Sequence, residues 1–245
     1  MKVNREVIRF VVFRTLGNFL VLASLYAIGR TLGPAAWLEA KYRVNQFRNV
    51  RYEIAWQGVP ARPDKEITDT VKPTPFVSNT TFFGKLAGGD KIEFLEPVSS
   101  RFGIIIPKIG ANAPIAPNVD AGNPEAYLEA LKTGVAHAAG TVFPGVPGNI
   151  FLFAHSTDDF WNVGRYNAIF YLLKELERGD EVDVFLNGKR HIYRVTDKII
   201  VNPDEVEYLT RQTNFEQLTL QTCWPPGTTF KRLLVLAVPE KDYRD

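Results

Sequence analysis

Hydrophobic and polar positions divide the chain into two regimes. From Val7 to Gly29 apolar residues follow one another with little alternation, and the only charges are Arg9 and Arg14. The uncharged part, Thr15 to Gly29, covers roughly 22 Å as a helix, against a hydrocarbon core of ~30 Å. Arginine side chains near a helix end can snorkel to the membrane interface. The pattern therefore predicts one transmembrane helix over about Val7 to Leu32. A cleaved signal peptide fits the same run, because Ala27-Ile28-Gly29 offers small residues at a suitable spacing. Apolar character that begins well before Thr15 favours the anchor. Pro34 and a polar stretch follow directly, which argues against a buried helix of a soluble core.

Glu39 to Glu53 alternates charged and aromatic residues and reads as a juxtamembrane helix. Val59 to Phe76 holds Pro60, Pro63, Pro73 and Pro75, a density that favours extended chain. Val71 to Ser78 is a candidate cover for a groove. From about Phe82 the period changes to that of strands. Lys91–Phe94, Gly103–Ile109, Ile150–Ala154, Glu181–Leu186, His191–Val201, Gln217–Thr222 and Leu233–Val238 are short branched or aromatic runs. Asn187-Gly188 between two of them is a hairpin signal. Pro124 to Thr133 and Ala168 to Arg178 read as short helices. Many short strands at close spacing predict a closed barrel or a sandwich. The expected division is an anchor over 1–33, a spacer over 34–80 and a mainly β domain over 81–245.

Composition sharpens this only a little. Hydrophobic residues make up 45% and charged residues 23% of 245 residues, as in a globular core. A net charge of +2 is too mild for nucleic-acid binding, where a concentrated basic face is expected. Three scattered histidines show no metal-ligand spacing, and no compact acidic cluster marks a calcium site, so no cofactor is expected.

Cysteine usage changes the picture most. Cys223 is the only cysteine, so it has no intramolecular disulfide partner and serves as core filler or as a nucleophile. It closes the pentapeptide Thr219-Leu220-Gln221-Thr222-Cys223, Arg232 follows nine positions on (232 − 223), and His155 lies 68 positions upstream (223 − 155). The pentapeptide resembles the TLxTC signature of sortases, the cysteine transpeptidases that join proteins to bacterial cell walls or to one another. Phe102 to Gly110 with its Ile-Pro-Lys turn, Leu131 to His137, Phe143-Pro144-Gly145, Pro147-Gly148-Asn149, Phe151 to Ser156, Leu172 to Val182 and Arg232 to Ala237 resemble further segments of that family, in the family's order. The resemblance selects the barrel: an eight-stranded sortase-type fold with short helices behind one N-terminal transmembrane helix.

It also implies the chemistry. Peptide transfer needs a nucleophile, a proton donor for the leaving amine and a donor for the developing oxyanion. By resemblance these are Cys223, His155 and Arg232, with Thr222 supporting the oxyanion through its backbone or hydroxyl. The implied substrates are secreted proteins with a C-terminal motif of the Leu-Pro-x-Thr-Gly type. The acceptor would be an amine of a cell-wall precursor or a pilin lysine. Lipid would be met through the N-terminal helix, and the catalytic domain would face outward from the cell membrane. The lysine and arginine distribution around the helix favours a cytoplasmic N-terminus only weakly.

Other residues carry lesser expectations. His137 lies among small residues and reads as structural or as part of a rim, and His191 beside Lys189 and Arg190 reads as solvated. Asp158 and Asp159 follow His155 closely and read either as solvated loop acids, the usual case, or as groups that orient it or tune its pKa. The short step from Cys223 to Arg232 and the stiff Trp224-Pro225-Pro226-Gly227 resemble class D, E or unclassified members more than the long-loop housekeeping type. Two other readings stay open: a membrane-tethered β-barrel that only binds peptides, and an L,D-transpeptidase-type cell-wall enzyme. The second sits poorly with a 68-residue separation of histidine and cysteine.

Overall fold

The computed structural model describes residues 5–56, 91–156 and 169–243. The Pro-rich stretch Val59 to Phe76, the candidate cover Val71 to Ser78, and Asp158 and Asp159 lie outside the described residues.

The chain opens with a 43-residue helix, α1 (Arg5–Phe47). Its part Arg5–Arg30 has a mean hydropathy of 1.7 and is long and apolar enough to cross a membrane, a test that a signal sequence also passes. The helix does not stop near Pro34, as expected from the sequence, but continues to Phe47. A proline costs one backbone hydrogen bond and crowds the preceding turn, yet Ala35 to Lys41 are good helix formers on its far side. The expected juxtamembrane helix is thus half right. Glu39 to Phe47 is helical, but Asn49 takes a positive φ of 46° and the chain turns into a strand, β1 (Val50–Ile54). The described residues fall into two units, one ending at Tyr42 and one beginning at Arg43.

In the second unit, β1 pairs in parallel with β2 (Lys91–Leu95) as a two-stranded ribbon. Eight further strands close a barrel: β3 (Phe102–Ile106), β4 (Ala111–Val119), β5 (Val135–Ala138), β6 (Gly148–Phe153), β7 (Glu181–Leu186), β8 (Lys189–Val201), β9 (Glu216–Trp224) and β10 (Lys231–Pro239). Their order around the wall is β10-β8-β7-β3-β4-β5-β6-β9, with β9 returning to β10. Two seams are parallel, β4 with β5 and β6 with β9, and each needs a crossover. The first crossover holds α2 (Pro124–Leu131), which starts where Asn123 accepts from the backbone N–H groups of Glu125 and Ala126 and Pro124 occupies the first turn. The second leads from the end of β6 through a 3-10 turn (Tyr171–Glu175), the β7–β8 hairpin and a single helical turn (Glu207–Thr210). Of the short helix expected over Ala168 to Arg178, the described residues form that five-residue 3-10 turn.

Alternation along the strands defines two faces. Ile104, Ile106, Val182, Val184, Ile150, Leu152, Leu218, Leu220, Leu233 and Val235 fill the interior. The β7–β8 hairpin turns on Asn187 and Gly188, at φ 49° and 77°, a backbone that an asparagine–glycine pair accepts readily. Parts of the outer face are buried as well. On β3 and β7, Ile105 and Phe185 point away from the interior, and Trp56 packs its ring on Phe185 at 5.0 Å. The Tyr52 ring of the ribbon lies against Gly110, and its hydroxyl accepts from Asn45 Nδ2 at 2.9 Å.

Two strands have no clear sequence signal. β4 contains Pro114 and Pro117, residues that normally argue against a central strand. It tolerates them by dividing its labour. Residues 111–114 pair with β3 and the second half pairs with β5, across a register shift between Ala116 and Val119 that contains Pro117. β5 is four residues of alanine, valine and histidine, too short for a period to show.

Candidate active site

The site is built on the ends of three adjacent strands. Cys223 lies near the end of β9, and in the antiparallel β9–β10 register its partner is Arg232. Directly opposed residues of such a pair carry their Cβ atoms ~4.5–5.5 Å apart on one face. Leu218 and Leu220 face the interior, so Cys223, two steps on from Gln221, faces outward, and Arg232 with it.

The parallel β6–β9 seam carries the segment that leads to His155 alongside the strand of Cys223. That register pairs Gly148 with Glu216 and Phe153 with Gln221, an offset of 68 residues (216 − 148 and 221 − 153). The separation of His155 and Cys223 is the same 68 (223 − 155). β6 ends at Phe153, but two bonds extend the seam. The backbone N–H of Ala154 donates to Gln221 O at 3.1 Å, and the Thr222 hydroxyl donates to Ala154 O at 3.0 Å. The residue before the histidine is therefore tied to the two residues that precede the cysteine.

The environment of each side chain differs. Cys223 and His155 are both half-buried, and each has an interaction within the protein. The guanidinium of Arg232 is folded over the β9–β10 connection, with Nη1 donating to Thr229 O at 3.1 Å and to Lys231 O at 3.2 Å. Its Nε and Nη2 make no hydrogen bond among the described residues. That leaves a charged fork on the face that carries the thiol. Thr222 is buried and points inward beside Leu220, and its hydroxyl hydrogen is committed to Ala154. A hydroxyl so engaged bears on the site through the histidine strand.

The other histidines fall outside this arrangement. His137 is fully buried inside the barrel, in ring contact with Phe143 at 4.5 Å and Phe102 at 5.7 Å. Its Nδ1 accepts from Asn118 N at 3.3 Å, which leaves the proton on Nε2, aimed at Val142 O and Thr141 Oγ1, both at 3.0 Å. Burial holds its pKa below the ordinary histidine range, so it is a neutral structural residue, as its setting in the sequence implies. His191 is half-buried rather than solvated. It lies close to Gly145, and burial, partly offset by Glu216, lowers its pKa as well. Among the described residues no group of histidine, cysteine and carboxylate side chains could hold a metal ion.

Sequence reasoning passes over the buried polar clamp beneath the site. Thr219 Oγ1 donates to Asn149 Oδ1 at 2.7 Å, and Asn149 Nδ2 donates to Tyr208 O at 2.8 Å. It binds β6 to β9 along the seam that aligns histidine with cysteine. The visible signal is a polar residue, Asn149, at the head of the apolar run Ile150 to Phe153, and Thr219 between Leu218 and Leu220.

A family model described as the Sortase domain matches residues 104–240, more than half of the chain. Sortase D of Bacillus subtilis (strain 168) is 31% identical over 150 residues, covering 60% of this chain and 67% of the relative. Sortase A of Streptococcus agalactiae serotype III is 30% identical over 139 residues, 57% of this chain and about half, 52%, of that relative. Among solved structures, sortase C-1 from Actinomyces oris aligns with a TM-score of 0.47 at 28% identity, covering 58% of this chain and 73% of that one. Sortase A from Corynebacterium diphtheriae aligns with a TM-score of 0.47 at 27% identity, covering 57% and 60%. The class is that of the β-barrel cysteine transpeptidases. Within it, the chain belongs to the sortase family.

Proposed function

We propose that this protein cleaves a sorting motif of the Leu-Pro-x-Thr-Gly type on secreted proteins through a thioester on Cys223, and transfers the acyl group to an amine. The observation that carries this reading is the coincidence of register and sequence: the only cysteine faces Arg232 across β9–β10, and the β6–β9 offset leads His155 to it. In the first step the Cys223 thiolate attacks the scissile carbonyl carbon. The tetrahedral oxyanion meets the donors of Arg232, and the His155 imidazolium gives its proton to the departing amine. In the second step an acceptor amine attacks the thioester carbonyl, His155 takes the amine proton, and the thiolate leaves. Arg232 suits the donor role because its Nε and Nη2 make no hydrogen bond among the described residues, and a guanidinium offers its donors as a planar fork. Thr222 acts as a positioning residue, holding Ala154 and with it His155.

The division into an anchor over 1–33, a spacer over 34–80 and a catalytic domain over 81–245 belongs to the same reading. So does an outward-facing catalytic domain on the cell membrane, held there by the apolar part of α1. The acceptor is an amine of the cell envelope or of a pilin lysine.

The test is peptide transfer by the full chain in detergent micelles, with a labelled motif peptide and a small amine. Product in which the amine replaces the residues after the threonine is expected, and Cys223→Ala should abolish it with an unchanged melting temperature. Transfer that survives Cys223→Ala would overturn the assignment. His155→Ala and Arg232→Ala should each lower kcat by at least ~10²-fold.

A further inference from the structure

The barrel wall opposite the candidate site carries a surface that the chemistry does not use. In the closed strand order, β7 and β3 stand across the barrel from β6 and β9. The β1–β2 ribbon is seated on that far wall, with Trp56 on Phe185 and the Tyr52 ring against Gly110. In its parallel register Arg51 stands beside Ile92 and Glu53 beside Phe94. These positions are exposed and alternate with Tyr52, Ile54 and Leu95, so they share the ribbon face turned away from the barrel.

The last turn of α1 extends this surface. Asn45 is turned to the ribbon by its bond to Tyr52. Arg43, Val44, Phe47 and Arg48, at three- and four-residue spacings, line another side of the helix and are exposed. Phe47 is 92% exposed and Phe94 61%. Arg48 and Arg51 make no ion pair among the described residues, and three arginines against Glu53 leave the surface net positive. Aromatic and aliphatic side chains left out of a core beside arginines suit a lipid headgroup region, where rings sink to the acyl boundary and guanidinium groups meet phosphate.

The chain also brings the bilayer within reach. The apolar part of α1 ends at Arg30, 17 residues before Phe47 (47 − 30), a helical tether of roughly 26 Å. A surface tethered so closely meets lipid at high effective concentration, so a contact too weak for a free protein suffices.

Resting on the membrane-anchor reading above, we propose that the end of α1 and the outer face of the β1–β2 ribbon form a second membrane contact, seated in the headgroup region of the anionic bilayer that α1 spans. With the ribbon on the bilayer, the β6–β9 seam and Cys223 on the opposite wall are turned away from the membrane, toward substrates in the envelope. Each arginine favours the contact roughly 5-fold on an anionic surface, and added salt weakens it.

The experiment reconstitutes the full chain, carrying Cys223→Ala, in vesicles of phosphatidylcholine with or without phosphatidylglycerol. One cysteine at a time, from Phe47→Cys, Phe94→Cys or Glu125→Cys, carries an environment-sensitive fluorophore, and lipids brominated near the headgroup act as quenchers. The labels at 47 and 94 should shift to the blue and be quenched, more with phosphatidylglycerol and less at high salt. The label at Glu125, exposed on α2, should stay unquenched. Arg48→Glu with Arg51→Glu should weaken the contact at least ~5-fold in phosphatidylglycerol vesicles. Labels at 47 and 94 as unquenched as the one at 125, on protein that floats with the vesicles, overturn the contact and leave the anchor reading intact. Shielding without quenching that grows with the protein-to-lipid ratio gives the face to a second copy and also overturns it. Protein that does not float with the vesicles overturns both readings.

Discussion

Replacing Thr222 by valine keeps the volume of the side chain and removes one hydroxyl. That hydroxyl donates to Ala154 O at 3.0 Å, and both residues are buried, at 3% and 6% exposure. The valine leaves a buried carbonyl without this donor, at a cost of about 1–3 kcal/mol. For a domain of this size each kcal/mol lowers the melting temperature by about 2–4 °C, so a fall of roughly 2–12 °C is expected by scanning calorimetry. The effect on turnover should be larger than the effect on stability suggests. Ala154 is the last residue before His155, and a misplacement of about 1 Å in a proton donor costs on the order of 10²-fold. Thr222→Ser retains the hydroxyl and loses one buried methyl, about 0.8 kcal/mol, so it should recover most of the activity without all of the stability. The pair is to be compared in the amine-transfer assay and by calorimetry. A valine variant with wild-type kcat, or a serine variant as slow as the valine one, would refute the claim that this hydroxyl positions the histidine.

Other perturbations test the fold. His137 is held neutral in the native barrel, and its pKa lies below that of the unfolded chain. Its contribution is therefore present above about pH 6.5 and is lost as pH falls below that value. His137→Gln should flatten the fall in stability below about pH 6.5 in urea titrations, and an unchanged slope would contradict the burial of a neutral ring. Asp183 is a different case. It is fully buried on the outer face with Oδ2 unpartnered, and burial, offset in part by Arg190 at 2.6 Å, pushes its pKa up to about 7. Because the native pKa is raised, its contribution is complete below about pH 4 and declines as pH rises through 7. Asp183→Asn should remove that decline and match or exceed wild type in stability at pH 8, with Arg190 keeping its contact to Glu181. A variant that is clearly less stable than wild type at pH 8 would mean that the charged pair with Arg190 dominates. Gly134→Ala would drive a Cβ into the backbone carbonyl of Pro114 at the β4–β5 seam, and a loss of soluble, folded protein is expected on expression.

The strands that carry the site are the ones the sequence reveals most clearly. Ile150 to Ala154, Gln217 to Thr222 and Leu233 to Val238 are mostly apolar runs, and the structure moves each of their ends by only a residue or two. Asn187-Gly188 marks the hairpin because few other pairs accept two positive φ angles. What stays hidden has physical reasons. β4 carries two prolines at positions that make sense only once its divided pairing is known. The continuation of α1 past Pro34 defies a local rule that normally ends helices. The burial of Phe185 beneath Trp56 joins residues 129 apart (185 − 56), which no local pattern can register. The candidate chemistry was legible as residue types, but the match between the 68-residue separation and the parallel register belongs to the three-dimensional pairing alone.

The most direct measurement is intact-protein mass spectrometry of the full chain after brief incubation with a panel of sorting-motif peptides, followed by peptide mapping. The account predicts an adduct equal to the acyl part of one peptide, located on Cys223 and released as a new amide when an amine is added. A folded protein whose Cys223 reacts with iodoacetamide but takes up no acyl group from any peptide would contradict it.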